Sequence, residues 1–353
     1  MNVVLSDPAY TALAEPRRRD RLALKFIHDI RDVPFFGTIA QLTLFVVIPG
    51  IAMYVPGVFS WWMAAIHMGL VFFFMGPYIL MLHNTSHRRF FKAPYGRLND
   101  FIPWILGPFF GETPETYFAH HVGMHHPENN LPDDVSTTIR YKRDSFGGFL
   151  VYFLRFFFGV IIELPIYFAK KNRHKLIVRA LGGEFTYYAV MALLLWVNWK
   201  ATVWVFLVPL VTTRFLMMAG NWAQHAFVDQ AAPESCYRNS ITCINSVYNR
   251  RCFNDGYHIG HHVKQTRHWT EMPGDFQKNI ATYAKEDAIV FTDIDFFIVW
   301  LFLMLGRYDW LANKMVPLSE SDKRTQEEKI ALLKSRTQWV FKDGDTLGVV
   351  TAG

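Results

Sequence analysis

The sequence predicts an all-α membrane protein: four transmembrane helices in two hairpins, with interfacial helices and a cytosolic helical cap. Three observations predict it. No Asp, Glu, Lys or Arg occurs from Val33 to His87; a ~30 Å hydrocarbon core needs ~20 helical residues, so this stretch is long enough for two spans. A second pair of apolar runs, 185–199 and 201–219, is separated by Lys200. The composition agrees, with 51% of the residues hydrophobic and only 19% charged, which is charge-poor for a soluble chain.

The elements follow in order. Segment 1–32 carries Arg17, Arg18, Arg19 and Arg21 with no short apolar run and small-residue cleavage site behind them, so no signal peptide is expected. The first span is expected around 39–59 and the second around 61–82. Pro49, Gly50, Pro56, Gly57 and Pro77 fall within them, and such breakers are tolerated in membrane helices. Arg88, Arg89, Lys92 and Arg97 follow the hairpin. With the basic N-terminal segment they put both flanks in the cytosol by the positive-inside rule. The second hairpin is bracketed in the same way by Lys170, Lys171, Arg173, Lys175 and Arg179 upstream and by Arg238, Arg250 and Arg251 downstream. Arg214, near the far end of its second run, is expected to snorkel to the interface. Three further apolar stretches, 101–111, 149–168 and 289–305, are too short or carry charges (Arg155, Glu163, Asp293, Asp295), and are expected as interfacial or re-entrant segments. The expected organisation is a cytosolic segment 1–32, a membrane domain with its cap at 33–312, and a cytosolic tail at 313–353 with a solvated helix.

Within this frame stand three histidine clusters: His83 and His87; His121, His125 and His126; His258, His261 and His262. Residues three and four apart are neighbours on a helix, so each cluster is expected to present its imidazoles from one face. All three clusters fall on the cytosolic side of the drawn topology. Asn221 and His225 follow from the second hairpin and add a ninth imidazole and an amide, the amide acting on a water ligand. A tetrahedral zinc takes four ligands, so this number points to two metal ions. Imidazole suits zinc, copper, iron and nickel; redox-inert zinc would use so many ligands poorly, and two irons fit better. His28, His67, His174 and His268 are isolated and expected to be structural, and spacing from His125 favours His121 over His120. Metal-bound histidines usually donate their second N–H to a carboxylate or carbonyl. Glu112, Glu115, Asp133, Asp134 and Asp255 are placed for that in sequence, with Asp134 and Asp255 preferred.

The motifs His83-x-x-x-His87, His121-x-x-x-His125-His126 and His258-x-x-His261-His262 resemble the three histidine boxes of the membrane fatty acid desaturase and hydroxylase superfamily. Box order, hairpin placement and spacing match over roughly 36–273. Asn221 and His225 match the additional ligand motif of that superfamily. The resemblance implies a four-helix membrane core under a cytosolic cap, and two non-heme irons held by His83, His87, His121, His125, His126, Asn221, His225, His258, His261 and His262. It also implies oxygen-dependent attack on an unactivated acyl C–H bond, with O2 as co-substrate. Asn130-Leu-Pro-Asp-Asp-Val-Ser136 and Phe253-Asn-Asp-Gly-Tyr-His258 resemble a bacterial branch in which acyl desaturases lie near alkane hydroxylases and the decarboxylases that form 1-alkenes. Desaturation is the expected reaction, with hydroxylation or oxidative decarboxylation as alternatives.

The substrate is expected to be a fatty acyl chain, as free acid, thioester or lipid, in the membrane. His-Pro-Gly-Gly and ferredoxin cysteine patterns do not occur, so electrons are expected from a separate ferredoxin, rubredoxin or cytochrome b5 with its reductase. The formal net charge of +6 suits an acidic donor, although anionic headgroups and positive-inside topology favour the same charges. Cys236, Cys243 and Cys252, odd in number and without a Cys-x-x-Cys pair, are expected as reduced thiols. No nucleic-acid partner is expected, and a bacterial inner membrane is favoured over the endoplasmic reticulum. A metal transporter would carry its ligands near the bilayer midplane, where only His67 stands. A zinc hydrolase would need a carboxylate base between its histidines, where this chain has Asn84-Thr85-Ser86.

Overall fold

Charge-free runs become long helices. The computed structural model describes residues 3–9 and 17–341; the ends of the expected N-terminal segment and tail, at 1–2, 10–16 and 342–353, lie outside the described residues. Four helices are long and apolar enough to cross a membrane: α1 (Ile30–Ala52), α2 (Trp61–His87), α3 (Phe146–Lys170) and α4 (His174–Gln224). The protein is an integral membrane protein of all-α architecture.

In α1 the main helical stretch opens at Pro34, whose fixed φ suits a first turn. The helix ends at Ala52, ahead of a turn in which Gly57 has φ 84°. The span therefore begins and ends several residues before the expected 39–59. Helix α2 is capped by the Ser60 side chain, which accepts from the Met63 N–H at 3.2 Å. It continues past the expected end at 82, so that His83 and His87 ride on its last turns.

Helix α4 is a hairpin. A straight helix would separate residues 30 apart by ~45 Å, yet Glu184 meets Arg214 at 2.8 Å. Tyr187 likewise donates to the Phe206 carbonyl at 3.1 Å. The reversal is at Asn198 (φ −155°, ψ 91°), whose side-chain oxygen accepts from the Ala201 N–H at 3.1 Å. The second hairpin is thus where the apolar runs put it, although its first arm begins eleven residues earlier, at His174. Arg214 does not snorkel. It is 6% exposed and paired with Glu184, because a facing carboxylate on the other arm offers a charge partner nearer than the interface.

Helix α3 has the length to cross but lies along the cap. Arg143, just before it, donates to the carbonyls of Ala226 and Arg336, both at 2.9 Å. Lys171, just after it, pairs with Glu128 and Asp133, both at 3.1 Å. Between these ends Val160, Leu164 and Phe168 pack on Ala119 and Met124. The opposite face exposes Leu150, Leu154, Phe158, Ile162 and Ile166, an i, i+4 apolar stripe suited to lipid. The 101–111 stretch dips into the bundle, with Phe109 5.0 Å from Phe206 by ring centroids and against Gly50 of α1. Gly111 (φ 73°) closes it where any Cβ would overlap the backbone of Pro209 and Leu210.

The 289–305 stretch is not one membrane segment. Ile289–Thr292 forms a strand, β2, parallel to β1 (Ile241–Ile244), with Ile241 opposite Ile289. The helix Phe296–Met304 follows and packs on the second arm of α4. A short buried strand and a buried helix share the same continuous hydrophobicity, and the left-handed Asp293 (φ 63°) that divides them leaves no periodic signal. In the tail, Gln326–Ser335 is helical as expected, opened by a Thr325–Glu328 capping box.

Candidate metal centre

The three histidine clusters, with His225 from the end of α4, supply two groups of rings. His83, His87, His121, His126 and His261 each offer a nitrogen within 4.8 Å of the others; so do His125, His225, His258 and His262. The groups adjoin, with the His126 and His262 ring centroids 4.8 Å apart.

The division does not follow the expected i, i+4 faces. At His121–His125 the helix makes a π turn, the His126 N–H bonding to the His121 carbonyl. Five residues then complete the turn, so His121 and His126 share one group, Nε2 to Nε2 at 3.0 Å. His125 is turned into the other group. In His258–Val263, His258 and His262 face one group while His261 faces the other. The His83–His87 and His258–His262 pairs, each at i and i+4, do keep to one group.

Several rings are fixed from behind. His83 Nδ1 lies 3.2 Å from Asp255 and His125 Nδ1 lies 2.7 Å from Asp134. Asp134 is fully buried and also accepts from the Asn130 N–H at 3.1 Å and the Ser136 N–H at 2.7 Å. His225 Nδ1 donates to the Asn239 carbonyl at 2.9 Å. With Nδ1 engaged, Nε2 of each ring keeps its lone pair for the centre. Asp7, from the N-terminal segment, receives the Tyr257 hydroxyl at 2.6 Å and the Asn245 N–H at 2.7 Å, which anchors the approach to His258.

Glu112, Glu115 and Asp133 stand elsewhere. Glu115 pairs with Arg179 and accepts from Trp104, Asp133 pairs with Lys171, and Glu112 lines a cavity wall. Sequence position placed them near the boxes, but their charges are claimed by cations or turned away. Asn239 and Tyr117, the latter stacked on His121 at 5.2 Å, have no motif to announce them. Asn221 donates to the Tyr152 hydroxyl at 2.6 Å and to the Ser136 carbonyl at 3.2 Å, and borders the same cavity. His120 points to the Ser136 hydroxyl at 2.9 Å. His67 contacts the Val46 carbonyl at 3.0 Å and His268 contacts Asp32 at 2.9 Å. With His28 and His174 they belong to neither group.

The donor set fits metal. His261 Nε2 lies 2.8 Å from His83 Nε2 and 2.9 Å from His126 Nε2. One ring nitrogen, holding either one proton or one lone pair, cannot bond with both. Nε2 of His87, His125 and His262 is buried without a hydrogen-bond partner, a cost that a shared cation removes. Burial first, then the neighbouring rings, holds His121, His126, His258, His261 and His262 well below the ordinary imidazole pKa, and burial holds His225 at about 3. These six rings are therefore held neutral, the ligating form. Two all-imidazole groups side by side are compatible with a two-iron site.

A cavity of about 450 Å³ reaches the groups. Its floor includes His83, His121 and His258, and it continues between α2 and the second arm of α4 past Met75, Ile79 and Leu216 to Phe297. A comparison with protein families matches residues 56–294 to the fatty acid desaturase model. The chain belongs to the fatty acid desaturase family. The match covers more than half of the chain, from the turn before α2 through the strand β2, and includes all nine clustered histidines. Neither curated proteins nor solved structures gave a match. The four long apolar helices, the imidazole groups and the family together describe an oxidoreductase fold of the diiron desaturase kind, set in lipid and suited to a fatty acyl substrate.

Proposed function

We propose that this protein desaturates a fatty acyl chain at the expense of O2. The observation that carries the proposal is the apolar cavity ending on two adjacent histidine groups. In this reading His83, His87, His121, His126 and His261 hold one iron and His125, His225, His258 and His262 the other, with Asn221 near a water ligand. Iron held there supplies dioxygen activation and removal of hydrogen from an unactivated C–H bond. The chain's own residues do the rest. Asp134 and Asp255 orient His125 and His83 through their Nδ1 atoms, and the apolar walls exclude water and align the methylenes. Overall, O2 takes two hydrogen atoms from adjacent C–H bonds, two electrons from a donor protein and two protons from water, leaving an alkene and two waters.

The two electrons come from an external ferredoxin, rubredoxin or cytochrome b5. The basic flanks of both hairpins favour placing the cap on the cytoplasmic face, in a bacterial inner membrane. The Asn130–Ser136 and Phe253–His258 runs favour a bacterial branch that includes hydroxylases and 1-alkene-forming decarboxylases, so the product is the quantity to measure. Metal analysis is expected to find close to two irons per chain, and stoichiometric zinc without iron would overturn the reading. Expression in a host fed defined fatty acids, followed by mass spectrometry that includes volatiles, is expected to show loss of two hydrogens. Gain of oxygen, or an alkene one carbon shorter, would assign the alternative reactions instead.

Asp134→Asn removes the charge behind His125 while keeping its shape. Iron affinity is expected to fall by about 10–100-fold, read by titration with a chelator, with the helical content unchanged. Unaltered affinity would remove Asp134 from the ligand-orienting role.

A further inference from the structure

A second cavity, of about 400 Å³, opens between the end of α2 and the turns at Ala93–Asp100. It shares Glu112, Thr113 and Tyr117 with the cavity on the histidines. The two are separated by one layer of side chains, so together they form a vestibule and a chamber.

The vestibule has a basic rim. Arg89 and Arg97 line it, and among the described residues no hydrogen bond or ion pair engages either guanidinium. Their neighbours differ: Arg88 is bound to Asp29 at 3.0 Å and Arg179, on the facing wall, to Glu115. Asp100 also stands on the rim, so with Arg179 and Glu115 paired the rim keeps one net positive charge, and Glu112 lies further in, in the throat. Unpaired arginines at a membrane-side opening suit an anion, which arginine binds through a planar fork of donors. The throat adds a second observation. The Tyr78 hydroxyl and Glu112 Oε1 are both buried without a partner, with Tyr78 fully buried and Glu112 7% exposed. Buried polar atoms left unpaired are costly, and both line the vestibule where an entering polar group would pass.

We propose that this vestibule admits the acyl substrate and that Arg89 and Arg97 hold the anionic head to which the chain is attached, a carboxylate or the phosphate of a carrier. The chain then passes Tyr78 and Glu112 into the chamber at His121. In a thioester, whose carbonyl lies further along the chain than the carrier phosphate, Tyr78 donates a hydrogen bond to that carbonyl oxygen as it seats. The inference rests on the acyl-substrate reading above and adds that the bound substrate carries an anionic head.

The test uses the full chain in lipid nanodiscs, with palmitate, palmitoyl-CoA and methyl palmitate as probes. Binding is followed by tryptophan fluorescence, and KM and kcat by product analysis. In the double variant Arg89→Gln/Arg97→Gln, affinity for a charged probe is expected to fall about tenfold, since two exposed charge contacts are lost. A matching rise in KM is expected, with kcat and iron content unchanged. Arg89→Lys/Arg97→Lys is expected to restore most of the affinity, and the neutral ester is expected to bind both variants like the wild type. A loss confined to palmitate identifies the carboxylate as the head, and a loss confined to palmitoyl-CoA identifies the carrier phosphate. An unchanged affinity for both charged probes, or an equal loss for the ester, overturns the proposal while leaving the desaturase reading intact. A wild-type protein that binds none of the three probes and yields no product overturns both.

Discussion

Replacing His261 with Ala is expected to lower turnover by more than about 100-fold and to leave less than two irons per chain. Removing an orienting partner already costs about 10–100-fold, and His261 is nearer the centre than any such partner. Its Nε2 is the atom where two clusters meet, 2.8 Å from His83 and 2.9 Å from His126. The damage should stay local. The helix His258–Val263 is anchored by Tyr257 on Asp7 and by Arg267 on the Gly260 carbonyl at 2.7 Å, and none of these contacts uses the ring. Iron analysis, product analysis and circular dichroism of the purified variant separate the outcomes. Two irons with normal turnover would remove His261 from the ligand set, and lost helicity would show a structural role instead.

Glu184→Ala is expected to destabilise the membrane bundle by about 3–5 kcal/mol, the usual cost of leaving one member of a buried ion pair alone. Arg214 is buried against Glu184 at 2.8 Å, and the Thr113 and Thr116 hydroxyls donate to the same carboxylate oxygen at 2.6 and 2.9 Å. All three donors lose their acceptor together. Relaxation is blocked next door, because a Cβ at Gly183 would already overlap the Pro114 carbonyl, so the arm of α4 has no room to shift. Thermal inactivation in detergent reads the loss. Glu184→Leu/Arg214→Leu is expected to recover most of it, since an apolar pair of similar volume replaces a buried ion pair at little cost. If Glu184→Ala matches the wild type, the pair contributes nothing measurable to stability.

Much of the fold was legible because a bilayer imposes simple rules. A charge-free run from Val33 to His87 has few alternatives to a helical hairpin. The second hairpin was legible for the same reason, down to the turn beside Lys200. What composition could not resolve was the fate of apolar segments that are not spans. Helix α3 and the 289–305 stretch are equally greasy, yet one is a helix lying along the cap and the other divides into a strand and a helix. Hydropathy measures how much surface a segment must bury, and does not say whether lipid, a sheet or a neighbouring helix will cover it.

The histidines divide along the same line. The residue types and their clustering were sufficient to point to metal, and Asp134 and Asp255 lie behind His125 and His83 in the structure. Spacing alone misassigned the faces, because it presumes an ideal helix. The π turn at His121–His125 adds one residue to the turn and so exchanges the roles of His125 and His126. Asn239 lies fourteen residues beyond the ring it holds, and only the packing of the cap brings it there. The vestibule arginines are likewise ordinary positive-inside residues until the fold shows that Arg88 is paired with Asp29, while Arg89 and Arg97 have no ion-pair partner among the described residues. By itself the sequence determined that this is a membrane protein with a histidine-rich centre, because those properties reside in side-chain chemistry and in runs of neighbours. Which ring joins which group, and which of the cations beside α2 is paired, was decided by the tertiary structure alone, because partnership depends on distances between residues remote in the chain.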